Sequence, residues 1–265
     1  MPHVPQSNLV ERLKSFAAPA NRSVSVLALN GISFAFSSAA DVRRPAASLI
    51  KLPIVMAVLE AASIGRIDLK VRVKRDSLGR SAYPTVMEVF DDHHAFSLAE
   101  LCGLSLAVSD NLAATYLLEL VGIPAVRDYL DNIGCHSTTV DVGFRDAMLP
   151  QLRHSNYTTA RDVASMLLHI RDHAALSTYM FPMLRNGLMK SRIGLRLPED
   201  LKIANKTGSL EGVVNDAGIV SDESLEVLFV FLSVDEHDTA LTAIDVGNIA
   251  LEVWRGLGGR TADRE

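Results

Sequence analysis

The sequence predicts an α+β fold. A mostly antiparallel sheet is built from both chain ends and flanked by helices, and an all-helical subdomain is inserted between its strands. Three observations predict it. Near both ends of the chain, apolar and polar side chains alternate with the period of two expected of half-buried strands. Residues 48–190 instead carry apolar positions three and four apart, the helical period. No repeat, low-complexity stretch or linker breaks the chain, so residues 1–265 read as one domain. Its lobes are residues 1–42 plus 195–265 for the sheet and residues 43–194 for the helices.

Taken in order, residues 9–18 place Leu9, Val10, Leu13 and Phe16 on one helical face. Residues 23–37 alternate around Asn30-Gly31, a pair that predicts a two-residue hairpin turn. Helical segments follow at residues 48–63, 97–109, 111–122, 124–134 and 158–173, bounded by Gly, Asn or Ser/Thr caps. Strand character returns at residues 201–210, 213–221 and 224–235. Residues 238–257 form a last helix stopped by Gly258-Gly259. Trp254 and the methionines read as core filling.

Composition narrows the function without naming it. With 48% hydrophobic and 22% charged residues, wholesale disorder and coiled coil are excluded. The net charge of −5, from 26 basic and 31 acidic side chains, leaves no electrostatic footprint for nucleic acid or anionic lipid. No stretch reaches the roughly 18 apolar residues of a membrane span. Two cysteines, Cys102 and Cys135, are too few for a disulfide framework or a structural zinc site. No metal or cofactor is expected; the partner expected is a small-molecule substrate, and the protein itself is expected to be a monomer or weak dimer. The first twenty residues lack a basic start and an apolar core of leader length, so a cytoplasmic location is expected unless a leader has been removed.

Three short motifs carry chemistry. In Ser48-Leu49-Ile50-Lys51 the serine and lysine share a helix face, so a desolvated lysine can take the serine proton. A serine at a helix start also sits near exposed backbone N–H groups that favour an oxyanion. Alone this pattern is weak, because S-x-x-K occurs about once by chance in such a chain. Ser109-Asp110-Asn111 after an apolar helix, and Lys206-Thr207-Gly208 on a strand, are each expected in only about one chain in twenty. In this order they form a known serine-lysine hydrolase set.

On these motifs the chain resembles the class A β-lactamase-like serine hydrolases, within the β-lactamase and penicillin-binding protein superfamily. The likeness runs nearly end to end, from NLVERLKSF through RRPAASLIKLPIVMAVL and LAELCGLSLAVSDNLAATYLLELVG to NYTTARDVASMLLHI and ANKTGSLEGVVNDAGIV. The resemblance implies that fold. It implies Ser48 as the acylated nucleophile, Lys51 as proton acceptor, Ser109 as proton shuttle to the leaving group, and Lys206 as positive potential near Ser109 and a substrate carboxylate. Asn111 would bond the substrate amide. Thr207, Gly208 and Ser209 would line the substrate strand, with the amides of Ser48 and Ser209 as oxyanion hole. The implied activity is acyl-enzyme hydrolysis of a cyclic amide. A cytosolic esterase or peptidase of the same fold, or a non-turnover protein binding β-lactam or peptidyl ligands, stands as the alternative.

The chain also departs from that family. Residues 139–146, matching the loop whose glutamate activates the deacylating water, contain no Glu. Aligning Asp141 with the family's loop aspartate puts Phe144 at the base position. Asp146 is then either a displaced base or an ordinary loop carboxylate, and slow deacylation is expected. No Lys or Arg lies between Val213 and Asp238 to hold the substrate carboxylate. Arg192 and Arg196 are expected on the solvated surface rather than in the cleft. Cys102 matches half of a family disulfide whose other half is Val55 here, so its thiol is expected buried and reduced.

Other signals carry less. Asp91-Asp92-His93-His94 lie too close together to converge on one ion, and His169 with His173 reads as a solvated helix face. Tyr83 is either an aromatic gatekeeper or loop packing. Asp216 is expected to point toward the cleft, to orient Lys206 or to serve as a structural acid.

Overall fold

The computed structural model describes residues 6–80, 85–144 and 155–260. Helix α1 (Gln6–Phe16) leads into β1 (Arg22–Ala28) and β2 (Ala35–Ser38). A short strand β3 (Arg44–Pro45) precedes one turn of 3-10 helix over Ala47–Ile50 and the helix α2 (Lys51–Ser63). Then come β4 (Arg72–Lys74), β5 (Ala95–Ser97), α3 (Leu98–Ala107), α4 (Asn111–Val121) and α5 (Ile123–Asn132). Strand β6 (Tyr157–Thr158), α6 (Ala160–Asp172) and α7 (Ala174–Arg185) complete the helical part. The chain ends in β7 (Lys202–Leu210), β8 (Val213–Ser221), β9 (Glu226–Ser233) and α8 (Thr239–Gly256).

Five strands form an antiparallel sheet in the order β2-β1-β9-β8-β7, so both chain ends contribute, as expected. Helices cover both faces. Leu9 and Leu13 of α1 and Val246, Ala250 and Trp254 of α8 pack on Val24, Val26, Phe229 and Phe231. The opposite face, with Ala204, Ala217, Leu228 and Val230, packs on the helical part through residues such as Ile54, Leu101 and Met166. Central β9 is buried on both sides, which is why EVLFVFLS reads as a continuous apolar run.

The β1–β2 hairpin differs from expectation. Its register, Leu27 opposite Ala35, leaves residues 29–34 as the connection rather than a two-residue turn. Phe34 is 8% exposed, and tucking its ring into the core takes up the residues that a tight turn would have paired. Gly31 still supplies the left-handed bend with φ +83°, and Asn30 Nδ2 anchors the loop to the Ser224 carbonyl at 2.5 Å.

Helix α2 explains how the nucleophile motif is held. All nine residues from Lys51 to Leu59 are buried, so this stretch of the helix is a core rod, apolar on every side except at one lysine, with exposed Glu60 only in the last turn. Burying each of its larger aliphatic side chains contributes about 1.5–3 kcal/mol, and together they outweigh the several kcal/mol that burying one lysine costs. Cys102 and Cys135 are free and buried, and burial pushes both thiols up to about 12. Among the described residues no helix is long and apolar enough to cross a membrane.

Candidate active site

Ser48 occupies the 3-10 turn that runs straight into α2, and Lys51 is the first residue of that helix. Lys51 Nζ lies 3.2 Å from Ser48 Oγ, 3.1 Å from Ser109 Oγ, 2.6 Å from the Ser109 carbonyl and 2.7 Å from Asn111 Oδ1. The lysine is 0% exposed. Burial, and then the nearby charge of Lys206, hold its pKa well below the ordinary value, with Asp110 opposing. A lysine so placed can stand neutral beside the serine hydroxyl.

Ser109 meets the pair from the α3–α4 junction. Its φ of +57° and the +48° of Ala47 put two non-glycine residues, on either side of the nucleophile, in the left-handed region. Asp110 is 3% exposed and caps α4 by accepting from Ala113 N at 2.9 Å. Its other oxygen takes Thr85 Oγ1 at 2.5 Å and Val86 N at 3.0 Å. The middle residue of the second motif is thus a structural clamp that leaves Ser109 and Asn111 facing Lys51.

β7 closes the cluster. Lys206 Nζ donates to Ser109 Oγ at 2.8 Å and to the Thr207 carbonyl at 2.8 Å. Burial lowers its pKa to about 7, partly offset by Asp216. Gly208 lets the strand cross the nucleophile turn: a Cβ there would lie 3.1 Å from Ala46 O, Ala47 Cβ and Ser48 N. Ser209 follows at the exposed rim, while Thr207 is buried. The structure therefore brings Ser48, Lys51, Ser109, Asn111 and Lys206 together beneath Gly208. Tyr83 and Asp146 lie outside the described residues.

Two sequence expectations need correction. Arg192 is 8% exposed, not solvated. Its guanidinium donates to Gly208 O at 2.9 Å, to the Asn215 carbonyl, and to Ser209 Oγ at 2.5 Å. Its Nε is buried without a partner. An arginine is therefore present beside β7, delivered from the preceding loop rather than a neighbouring strand; no local pattern around it foretold that burial. Asp216 points away from the cleft. It pairs across β7–β8 with Thr207, one residue out of phase with Lys206, and faces the side that α8 covers, with Val214 and Val220. There it accepts from Asn205 Nδ2 at 2.9 Å and Ile193 N at 3.0 Å. Burial raises its pKa.

The loop without glutamate is clipped to the same centre. Asn156 Oδ1 accepts from the amides of Asp141 and Val142 at 2.8 and 3.1 Å, and the Asn156 carbonyl accepts from Ala46 N at 2.8 Å. Arg127 braces the loop through Asp141 at 2.6 Å. Phe144 is then half-buried with its ring centre 5.4 Å from Lys51 Nζ. An aromatic face thus stands against the lysine at the position the sequence comparison assigned to a base.

The signals set aside have local explanations. Asp91 Oδ1 accepts from His93 N at 2.8 Å, and the His94 ring packs on Phe90 and Phe96. His169 is half-buried rather than fully solvated, with Nε2 3.1 Å from Tyr129 Oη, and only His173 is exposed. Among the described residues no three His, Cys, Asp or Glu side chains converge to hold a metal ion.

Comparison with known proteins identifies the family and the fold. Residues 8–255 match the profile of the Beta-lactamase enzyme family. The chain is 27% identical over 194 residues to the extended-spectrum beta-lactamase PER-1 of Pseudomonas aeruginosa, covering 66% of this chain and 62% of that protein. It is 33% identical over 199 residues to a beta-lactamase of Streptomyces fradiae, covering 68% and 62%. The matched region thus spans less than two thirds of either relative. The crystal structure of a beta-lactamase from Sphaerobacter thermophilus DSM 20745 superposes with a TM-score of 0.84 at 25% identity, over 96% of this chain and 98% of that one.

Proposed function

The chain belongs to the beta-lactamase enzyme family, and from that premise we propose that it opens a cyclic amide, a β-lactam, through an ester on Ser48 that it releases slowly. The observation that carries this reading is the hydrogen-bonded cluster of Ser48, Lys51, Ser109 and Lys206. Neutral Lys51 takes the Ser48 proton as Oγ attacks the carbonyl carbon. The oxyanion rests on the amides of Ser48 and Ser209, flanking the Gly208 crossing. Collapse breaks the C–N bond, and Ser109 hands the leaving nitrogen its proton, replenished from Lys51. Asn111 holds the acyl side-chain amide.

The basic groups beside β7 support an anionic substrate. Arg192 is buried with its guanidinium on Gly208 O and Ser209 Oγ, and Lys206, lowered to about 7 by burial, regains its proton beside an anion. Lys206, Arg192, Thr207 and Ser209 then receive the substrate carboxylate. Phe144 favours a second reading of the same chemistry. With an aromatic ring over Lys51 and no carboxylate there among the described residues, the protein works closer to a ligand-trapping binder than to a fast hydrolase.

Incubation with a penicillin and a chromogenic cephalosporin, following intact mass and colour together, tests this. The expected result is a lasting adduct with little colour beyond one equivalent, lost in Ser48→Ala. Fast colour without adduct overturns slow release. Cleavage of short p-nitrophenyl esters with neither adduct nor colour points instead to an esterase. Activity unchanged in Ser48→Ala overturns the assignment altogether.

A further inference from the structure

Behind β7 runs a buried polar chain that acyl transfer does not itself use. It begins at Lys190, whose ammonium donates to the Ile203 carbonyl at 2.6 Å and to Asn205 Oδ1 at 2.7 Å. β7 is the edge strand, and Lys190 supplies one of its carbonyls with a donor. Asn205 passes the contact on, donating from Nδ2 to Asp216 Oδ1 at 2.9 Å and to the Met189 carbonyl at 3.1 Å. Asp216 Oδ2 then accepts from Ile193 N at 3.0 Å.

Ile193 directly follows Arg192, so the hold on its amide also fixes where the arginine leaves the chain. Asp216 holds the next residue's amide, Asn205 holds Asp216, and Lys190 holds Asn205. The Arg192 guanidinium is thereby brought onto Gly208 O and Ser209 Oγ, at the rim of the nucleophile cleft.

We propose that Lys190, Asn205 and Asp216 form a positioning network that fixes Arg192 against β7 and so sets the preference of the cleft for acyl donors bearing a carboxylate over the same donors without one. Lys190 touches no substrate in this scheme and acts only through Arg192. The proposal rests on the acyl-transfer reading above.

The test compares the wild type with Lys190→Met and Lys190→Arg, using benzylpenicillin and its methyl ester as acyl donors and intact mass for the acylation rate. Asn205→Ser breaks the same chain one link further on and replaces Lys190→Met where that variant fails to fold. The expected result is a fall of about tenfold in kacyl/K for the free acid with the ester unchanged, and recovery in Lys190→Arg. The Arg192 Nε–H resonance, assigned by its loss in Arg192→Lys, is expected to exchange with water faster in Lys190→Met. Acid and ester falling together, as general damage to β7 would produce, overturns the proposal, and so does no change in either. If the wild type forms no adduct with either compound, the acyl-transfer reading has failed by itself. In that case an Arg192 resonance unaffected by Lys190→Met overturns the network as well, and faster exchange upholds the positioning.

Discussion

Two lysines share the Ser109 hydroxyl, and burial prepares them for different tasks. Lys51, held well below its ordinary pKa, is available neutral beside Ser48 Oγ, whereas Lys206, lowered to about 7, lies against Ser109 and regains its proton beside an anion. Among the described residues an aromatic ring, Phe144, faces Lys51 where the family resemblance puts the water-activating base. Phe144→Glu is therefore expected to shorten the lifetime of a penicillin adduct by at least about tenfold, as a positioned base contributes that much or more to proton transfer. Phe144→Leu is expected to leave it unchanged. Adduct decay followed by mass checks both, and equal decay in all three proteins would show that the base position lies elsewhere. Much of this site was legible from residue type and spacing, since Ser48, Lys51, Ser109, Asn111 and Lys206 fall in short motifs. Arg192 was not, because a lone arginine in a loop carries no local sign of burial. Asp216 takes the structural-acid role, one of the two expected for it, but on the face opposite the cleft, because register across β7–β8 and not sequence decides which face a strand residue takes.

At the scale of elements, the cleft is assembled by caps and close approaches rather than by the motifs' chemistry. Asp110 is the joint: it caps α4 and ties down the turn at Thr85 and Val86. Asp110→Ala is expected to cost about 1–3 kcal/mol, from a lost cap and buried donors left without a partner, read as a lower midpoint in urea. Acylation should slow as well, because Ser109 sits at φ +57° beside the loosened cap. A variant as stable and as reactive as the wild type would mean that α3 and α4 hold the junction without it. The longer elements could be read from their periods, down to the Asp238 cap of α8. Helix α7 is harder to read: Leu176, Met180 and Leu184 lie on one face, but Pro182 inside it carries the local signal of a breaker. The ribbons β3–β6 and β4–β5, two and three residues per strand, are too short to show a period at all.

For the whole molecule, burying these groups makes stability depend on pH in a direction that can be worked out. Lys206 falls from 10.5 unfolded to about 7 folded, so between those values the unfolded chain binds the proton and the folded chain does not. Stability then rises with pH from about 7, and Lys51 adds with the same sign. Cys102 and Cys135 act oppositely: their pKa rises from 9.0 to about 12, so above pH 9 the unfolded chain sheds protons that the folded chain keeps. Tyr129, raised from 10.0 to about 12, follows the cysteines. The two trends place the stability maximum near pH 9, with Lys206 contributing about 2–3 kcal/mol between pH 7 and 9 and a rise in Tm of about 5 °C. Calorimetry from pH 6 to 11 should show that maximum. Lys206→Met should lessen the climb from 7 to 9, leaving the share of Lys51, and keep the alkaline decline in place, because the cysteines and Tyr129 lie in the helical part, away from β7. A climb from pH 7 to 9 as steep in the variant as in the wild type would mean that Lys206 keeps its proton in the folded cleft. Its ammonium would then already stand charged against Ser109 before any substrate arrives, and the cleft would need no entering anion to charge it.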